Sequence, residues 1–476
     1  MTREFQAQEI IRLIEEKRDE YIKASDAIWS TPELYFREDK SAKVLIDFLK
    51  KEGFKVDEGV AGVRTAFVGE WGEGEPIIGF LGEFDALPIL SNEAGCAEHK
   101  EVVPGGPGHG CGHNLLGVGA LAAAIAMRDF VRDNGYKCTI RYYGCPAEED
   151  GWGKMFMARA GHFDDLAMAI TWHGGAAPTI SGTSSLAVIS CLMTFKGKTS
   201  HAASAPHLGR SALDAAELTN VGVNYLREHI ISEARVHYAY QDVGGTAPNV
   251  VQDRAVLKYF IRAPKVVQAK EIAERVKKCA IGASIMTDTE VDVQFISGMC
   301  EVVQNDVAGE LATEALYAIG KPVFDEEDYA IAKKFYDSAT EAEINGFLGR
   351  LTTYDDPQKY KNEYLITDLA PYKRIEGRLG GSTDVGDVSY ATPTVQIGAP
   401  TYAVGTPGHS WKITAQAACG IGHKGMLYAA KVMALTGIIA LDKPEKLKEA
   451  YDEYVKLTGG KYICPVGPEV KAQYQD

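Results

Sequence analysis

The sequence lacks the features that mark secreted, membrane-spanning and nucleic-acid-binding proteins. Its first 17 residues alternate charged with apolar side chains, which excludes a signal peptide or a membrane span there. Basic residues are too few, since 50 Lys and Arg stand against 65 Asp and Glu, giving a net charge of −15. Binding to a phosphate backbone depends on clustered positive charge, so we expect neither a nucleic-acid nor a membrane partner.

Internal repeats, low-complexity tracts and a disulfide framework are also missing. The nine cysteines are odd in number and scattered over 476 residues. This usage predicts reduced thiols and a cytoplasmic location. The apolar fraction of 46% and the charged fraction of 24% are typical of a folded globular protein, and the length suggests two or three folding units.

The two ends of the chain predict an α/β layer built on a largely buried sheet. Amphipathic or Ala-rich spacing predicts helices over residues 5–29, 41–52, 115–130, 308–318 and 415–435. Short apolar runs predict strands over residues 76–81, 138–143, 166–171 and 394–398.

The middle of the chain has a different rhythm. Strands are predicted over residues 186–198, 235–243, 255–263 and 290–297, and helices over residues 210–229 and 266–285. This order is a β-α-β-β-α-β unit, a compact two-layer module. We therefore predict a catalytic domain in two halves, residues 1–185 and 305–476, interrupted by a smaller lid over residues 186–304.

The stretch GHGCGHN, directly before the Ala-rich helix, is the most informative motif. Cys111 and His113 are two residues apart in a Gly-rich loop, so both side chains can reach one ion. The nearby helix N-terminus is expected to lower the pKa of the Cys111 thiol and favour the thiolate. A phosphate-binding loop or a plain tight turn remains the alternative.

Further candidate ligands follow the ends of predicted strands, where substrates bind in open α/β sheets. Adjacent residues of an extended segment point in different directions, so of Glu148 and Glu149 one can bind metal while the other acts on water. An acidic pair is otherwise a solvated turn, and a lone histidine is otherwise structural. Together, the Cys, His and Glu side chains suit zinc, manganese or cobalt rather than calcium. The strand-end residues are Glu83, Asp85, Glu148, Glu149, His173 and His409.

Eight motifs together resemble the aminoacylase and carboxypeptidase family of metal-dependent amidohydrolases. Within that family they are most similar to the branch of the p-aminobenzoyl-glutamate hydrolase B subunit. The resemblance spans nearly the whole chain in the expected order. The motifs are GEFDALP, GHGCGHN, PAEE, TWHGG, GKTSHAA, GGTAPNVV, GGSTDVGD and PGHS.

The resemblance implies a phosphorylase-like catalytic domain with two divalent metal ions, manganese or zinc. Glu148 matches the general base. Asp85 matches an acidic residue that orients a metal-bound histidine two positions earlier, but this chain has Glu83 there, so the resemblance leaves the roles of both open. The positions that match metal ligands are Cys111, His113, Glu149, His173 and His409.

The resemblance also implies that the inserted ferredoxin-like module is a dimerisation lid. His201 matches the histidine that reaches the partner subunit's active site and polarises the scissile carbonyl. Asn249 and Arg262 match positions that bind the substrate's carboxylate end. From the residues alone, the alternative for His201 is a capped turn between strand and helix. The alternative for Arg262 is a solvated charge on a strand face.

The sequence thus predicts an amidohydrolase that cleaves an N-acyl amino acid, with an aromatic acyl group such as p-aminobenzoyl. One alternative is a dipeptidase for β-alanyl or similar dipeptides. Another, from a different class, is an inactive partner or regulatory subunit. A homodimer and a possible second hydrolase subunit are the expected protein partners.

Overall fold

The computed structural model describes residues 1–377 and 381–474. Gly380, the first residue of the GGSTDVGD motif, lies outside this range. The described strands form two sheets, one of seven strands and one of four. In chain order they are β1 (Lys55–Glu58), β2 (Phe67–Gly72), β3 (Ile77–Glu83), β4 (Thr139–Cys145), β5 (Met168–Gly175), β6 (Thr179–Ile180), β7 (Ala187–Lys196), β8 (Arg235–Asp242), β9 (Arg254–Ala263), β10 (Glu290–Met299) and β11 (Thr394–Pro400).

Helices cover both sheets. In chain order they are α1 (Arg3–Glu16), α2 (Arg18–Trp29), α3 (Asp39–Lys51), α4 (His113–Asn134), α5 (Gly153–Arg159), α6 (Ala212–Leu226), α7 (Val266–Met286), α8 (Asp306–Ile319), α9 (Glu326–Asp337), α10 (Glu341–Leu348), α11 (Val385–Ser389), α12 (Trp411–Gln416), α13 (Gly420–Asp442) and α14 (Pro444–Thr458).

The larger sheet has the strand order β1-β2-β4-β3-β5-β11-β6. Its central strands β4, β3, β5 and β11 are parallel, whereas β1, β2 and β6 pair antiparallel with their neighbours. The four parallel strands are those predicted from apolar runs, and the prediction of a mixed helix and strand layer is confirmed. Parallel strands place their carboxyl ends at one edge of the sheet, where the candidate ligands follow.

Both faces of this sheet are buried. On one face, side chains of β3, β4 and β5 pack against α1, α2, α4, α8 and α13, and on the other they pack against α5 and α11. Close packing needs glycine at Gly119 of α4, because a Cβ there would lie 2.7 Å from the Trp172 indole. This contact fixes α4 against β5, and so fixes the loop that precedes α4.

By length and composition, α4 and α13 are apolar enough to cross a membrane. Within the fold, however, 100% and 83% of their apolar windows are buried. They are placed as core helices, packed against each other and against the larger sheet.

Two helix predictions were wrong in detail. The helix predicted over residues 5–29 is two helices, α1 and α2, because Lys17 leaves helical geometry with φ −109° and ψ 13°. The helix predicted over residues 415–435 is also broken, since α12 ends at Gln416 and α13 begins at Gly420. The turn between them is tight: a Cβ at Gly422 would lie 2.5 Å from the Gln416 carbonyl oxygen.

The smaller sheet is antiparallel with the order β10-β7-β9-β8, and α6 and α7 pack on it around a separate apolar core. It contacts the larger unit through polar and aromatic side chains. Lys258 Nζ lies 2.9 Å from Asp150 Oδ2, and Phe260 packs against Trp152 with ring centroids 5.7 Å apart. Asp150 and Trp152 closely follow Glu149 in the chain, so the small sheet lies beside the acidic loop.

Candidate metal centre

The candidate site lies at the carboxyl edge of the parallel strands. Glu83 is the last residue of β3, the two glutamates follow β4, and His173 lies near the end of β5. His409 lies in the loop after β11, and Cys111 and His113 come from the loop and first turn of α4. Residues far apart in sequence therefore converge because parallel strands end together.

His113 is held with one ring nitrogen free. Its Nδ1 lies 2.9 Å from Asp85 Oδ1. Nδ1 therefore carries a proton and donates a hydrogen bond to the carboxylate. Its Nε2 is buried and has no hydrogen-bond partner among the described residues; it lies 3.4 Å from Glu83 Oε2 and 3.9 Å from Glu149 Oε1. Burial opposes a charge on this ring, but Cys111 and Asp85 outweigh it and raise the pKa of His113 well above its usual value. A metal ion at Nε2 would take the place of that second proton, and the oriented Nδ1 is typical of a metal-binding histidine.

Cys111 and His173 form a second part of the cluster. Cys111 Sγ lies 3.3 Å from His173 Nε2, and His173 Nδ1 donates to the Gly174 carbonyl oxygen at 2.7 Å. Burial lowers the pKa of His173, which favours the neutral ring. The expected lowering of the Cys111 pKa was wrong, because burial and the Glu149 carboxylate raise the thiol pKa well above its usual value.

Glu149 faces several of these groups. Its backbone N–H donates to Asp85 Oδ2 at 2.9 Å, and its Oε2 lies 3.4 Å from His409 Nε2. Its Oε1 is buried and accepts no hydrogen bond from residues 1–377 or 381–474, and burial raises the pKa of Glu149 to about 7. His409 is the most open member, with 61% of its side chain exposed.

The described residues contain three overlapping sets of possible metal ligands, and within each set the ligand atoms lie within 4.8 Å of one another. The donors are one thiol, imidazole nitrogens and carboxylate oxygens, a combination that suits a transition metal better than calcium or magnesium. The unpartnered His113 Nε2 and Glu149 Oε1 fit the same purpose, since buried polar atoms are normally satisfied. The sets are Cys111–His113–His173, Cys111–Glu149–His409 and Glu83–His113–Glu148.

Glu148 enters the cluster through the third of these sets, beside Glu83 and His113. Burial and the neighbouring Glu83 and Glu149 carboxylates raise its pKa well above the usual range. Glu148 shares a donor set with Glu83, whereas Glu149 shares one with Cys111 and His409, although both glutamates lie near His113.

A buried lysine at this site was missed from the sequence. Lys154 Nζ donates to Glu83 Oε1 and Asp384 Oδ1, each at 2.6 Å, and its side chain is fully buried. Burial alone would raise the pKa of Glu83, but the Lys154 ammonium acts together with His113 and His173 to hold that pKa below its usual value. The available signal was a single charge in the apolar run Gly153-Lys154-Met155-Phe156-Met157.

His109, the other histidine of GHGCGHN, is in none of these sets. Its Nε2 lies 3.3 Å from the Ile28 carbonyl oxygen, and burial lowers its pKa to about 3. It is a neutral structural residue that ties the loop to α2.

The predicted lid residues are not joined to the cluster by any hydrogen bond or ion pair among residues 1–377 and 381–474. His201 is exposed, and its Nδ1 accepts the backbone N–H groups of Ala203 and Ser204, both at 3.2 Å. Asn249 is exposed, and its carbonyl oxygen accepts from Ala202 N at 3.0 Å. Arg262 is half-buried and donates to Ser382 Oγ at 2.6 Å.

The sequence profile of peptidase family M20/M25/M40 matches residues 79–342, more than half of the chain. The B subunit of the p-aminobenzoyl-glutamate hydrolase of Escherichia coli is 42% identical over 474 residues, which are 97% of this chain and 98% of that protein. The human Xaa-Arg dipeptidase is 26% identical over 93% of this chain and 90% of its own length.

Solved structures share the fold at low sequence identity. An aminobenzoyl-glutamate utilization protein from Klebsiella pneumoniae superimposes with a TM-score of 0.60 at 16% identity, covering 90% of this chain and 97% of that one. A dinuclear metal-binding M20 peptidase from Bacillus subtilis superimposes with a TM-score of 0.54 at 18% identity, covering 91% and 99%. With the profile match and the 42% identical relative, these comparisons establish that the chain belongs to peptidase family M20/M25/M40.

Proposed function

We propose that this protein is a metal-dependent amidohydrolase that cleaves the amide bond of an N-acyl amino acid, with an aromatic acyl group such as p-aminobenzoyl. The observation that carries the proposal is the cluster of Cys111, His173 and buried His113, with Glu149 Oε1 3.9 Å from His113 Nε2. The 42% identical relative, whose name describes one subunit of a p-aminobenzoyl-glutamate hydrolase, supports the substrate class.

The proposed cofactor is a pair of divalent metal ions, manganese or zinc. The residues that would hold them are Cys111, His113, Glu149, His173 and His409. Such ions supply Lewis acidity, which polarises a carbonyl group and favours the ionisation of water. Asp85 keeps the proton of His113 on Nδ1, so that the lone pair of Nε2 is available to bind a metal ion.

Glu148 is proposed as the general base. Its carboxylate takes a proton from the attacking water and later delivers that proton to the leaving nitrogen. Burial beside Glu83 supports this role, since a raised pKa makes the carboxylate a stronger base toward the proton of the water.

Residues 186–304 are proposed as a ferredoxin-like lid that dimerises, inserted between the catalytic halves 1–185 and 305–476. Strand β8 is at the edge of the smaller sheet and is largely exposed, as a strand that pairs with a second copy would be. Apolar side chains also lie exposed on the lid helices, including Val221, Tyr225, Ile285 and Met286.

His201 is proposed to stabilise the oxyanion in the active site of the partner subunit. Because its Nδ1 accepts two backbone N–H groups, the ring proton of the neutral form lies on Nε2. That N–H is the kind of preorganised donor an oxyanion needs. Asn249 and Arg262 are proposed to bind the carboxylate end of the substrate, Arg262 from its place beside Ser382.

A mixing experiment tests this arrangement. Neither Glu148→Gln nor His201→Ala is expected to be active alone, but each mixed dimer has one site with both residues intact. Random mixing in equal amounts should restore about a quarter of wild-type activity. Mixing Glu148→Gln with Glu149→Gln is the control, since no dimer then has an intact site. Heterodimers without recovered activity would contradict delivery of His201 to the other chain.

Substrate choice tests the function directly. Purified protein loaded with manganese or zinc should hydrolyse p-aminobenzoyl-glutamate and related N-acyl amino acids faster than β-alanyl or Xaa-Arg dipeptides. The reverse order would favour the dipeptidase alternative, which the similarity to Xaa-Arg dipeptidases supports. Metal binding without turnover of any substrate would favour an inactive partner subunit.

A second subunit and a cytoplasmic location are also part of the proposal. The relative is named as one subunit of a hydrolase, so a second, different subunit is a proposed partner in addition to the homodimer. A cytoplasmic location is proposed because the nine cysteines are free thiols in the structure.

A further inference from the structure

Three buried charged side chains, Lys154, Glu83 and Asp384, form an ion-pair cluster next to the candidate metal centre. Lys154 Nζ lies 2.6 Å from Glu83 Oε1 and 2.6 Å from Asp384 Oδ1, and the side-chain exposures of Lys154, Glu83 and Asp384 are 0%, 4% and 0%. The backbone N–H of Lys154 also donates to the second carboxylate oxygen of Asp384 at 2.9 Å. Lys154 is therefore held at two points by Asp384, and in turn holds one oxygen of Glu83.

The other oxygen of Glu83 faces the centre. Glu83 Oε2 lies 3.4 Å from His113 Nε2, which makes no hydrogen bond within the part of the chain that the structure describes. Since His113 Nδ1 donates its hydrogen bond to Asp85, the lone pair of Nε2 in the neutral ring and the Glu83 carboxylate oxygen are two electron-pair donors that face each other across this gap. A cation between them would satisfy both atoms, whereas a hydrogen bond would require a doubly protonated ring.

The charges do not balance within the group. Two carboxylates surround one ammonium, which leaves one buried negative charge without a partner among these three residues. Burying an uncompensated charge costs several kcal/mol in general. A divalent cation beside Glu83 Oε2 would supply the missing positive charge.

We propose that Glu83 is a further metal ligand and that Lys154, anchored by Asp384, is the positioning residue that holds it. This inference rests on the metal centre proposed above. Lys154 occupies Oε1 and leaves Oε2 as the single oxygen turned toward His113 and Glu148. In this chain, therefore, a glutamate ligand stands where the wider family has a histidine ligand. The residues that hold this glutamate are Lys154 in α5 and Asp384 in the turn before α11.

Two variants test the ligand and its support separately. Glu83→Gln keeps the shape but removes the charge. The double variant Lys154→Met/Asp384→Asn removes one positive and one negative charge, so the net charge is unchanged and only the support of Glu83 is lost. Both should bind one ion about tenfold to a hundredfold more weakly, while the other ion binds as in the wild type.

The measurement is metal stoichiometry and affinity by equilibrium dialysis against manganese or zinc with elemental analysis, independent of any substrate. Circular dichroism verifies folding. The matched control is Lys424→Met/Asp328→Asn, a lysine–aspartate pair between α13 and α9 with a buried aspartate and no part in the ligand sets. It should alter stability but leave both affinities unchanged.

The outcomes separate this inference from the proposed function. If the wild type binds two ions and Glu83→Gln binds them equally well, Glu83 is not a ligand. If Glu83→Gln weakens binding but the double variant does not, Lys154 is only structural. If the wild type binds no ion, the metal centre itself is wrong and the inference falls with it.

Discussion

Replacing Glu148 with glutamine should reduce kcat by at least about a hundredfold, the lower end of what general acid–base catalysis contributes. The amide keeps the size of the side chain and can hold a water by hydrogen bonding, but it cannot accept a proton. Because none of the proposed ligands is changed, Glu83 included, the metal content should stay at the wild-type level. Loss of rate without loss of metal is the expected signature.

The matched variant is Glu149→Gln, one residue away. Glu149 lies in the donor set with Cys111 and His409, so its change should lower metal content together with activity. Steady-state kinetics and elemental analysis on the two proteins distinguish the roles. If Glu148→Gln loses metal and Glu149→Gln retains it, the base and the ligand must be exchanged.

Replacing Cys111 with serine should remove most metal and nearly all hydrolysis. A hydroxyl rarely ionises and is a poor substitute for a thiolate on a zinc-like ion. Changes to residues that only support ligands already cost about tenfold to a hundredfold in affinity, so loss of a ligand should cost about a hundredfold or more. The fold should survive, because Cys111 lies in the loop before α4 rather than in a helix or strand.

Cys96→Ser is the control for this change. Cys96 is a free, half-buried loop cysteine that belongs to none of the three donor sets. It should keep wild-type metal content, activity and melting temperature. Unchanged metal binding and turnover in Cys111→Ser would contradict its assignment as a ligand.

The strands that carry the site could be predicted from the sequence because each is a continuous apolar run in a sheet buried on both faces. The convergence of Glu149, His173 and His409 followed from placing each candidate after such a run, whereas Cys111 was found from its spacing to His113 in the loop before α4. Their spatial order could not be predicted, since β3 lies between β4 and β5, and β11 next to β5, only through long-range pairing.

Lys154 shows what a pattern of residue types cannot supply. Its role depends on Glu83 and Asp384, which are 71 and 230 residues away in sequence. The prediction of a lowered Cys111 pKa was wrong for a related reason. The nearby helix N-terminus is visible in the sequence, but burial of the thiol beside Glu149 is not. Electrostatics among distant segments needs the tertiary fold.

The sheet order has a consequence for how the chain is made. Strand β11 completes the parallel sheet beside β5, yet more than 200 residues separate the two strands in sequence. During synthesis, the edge of β5 that later pairs with β11 stays unpaired while the segment from β7 to β10 leaves the ribosome. That segment can form its own sheet in the meantime. Because domains generally fold as units and in order of synthesis, the small module should fold first and the metal centre last, when His409 emerges. A nascent chain stalled before residue 394 would therefore expose an unpaired, apolar strand edge, the kind of surface that chaperones bind and that aggregates form on.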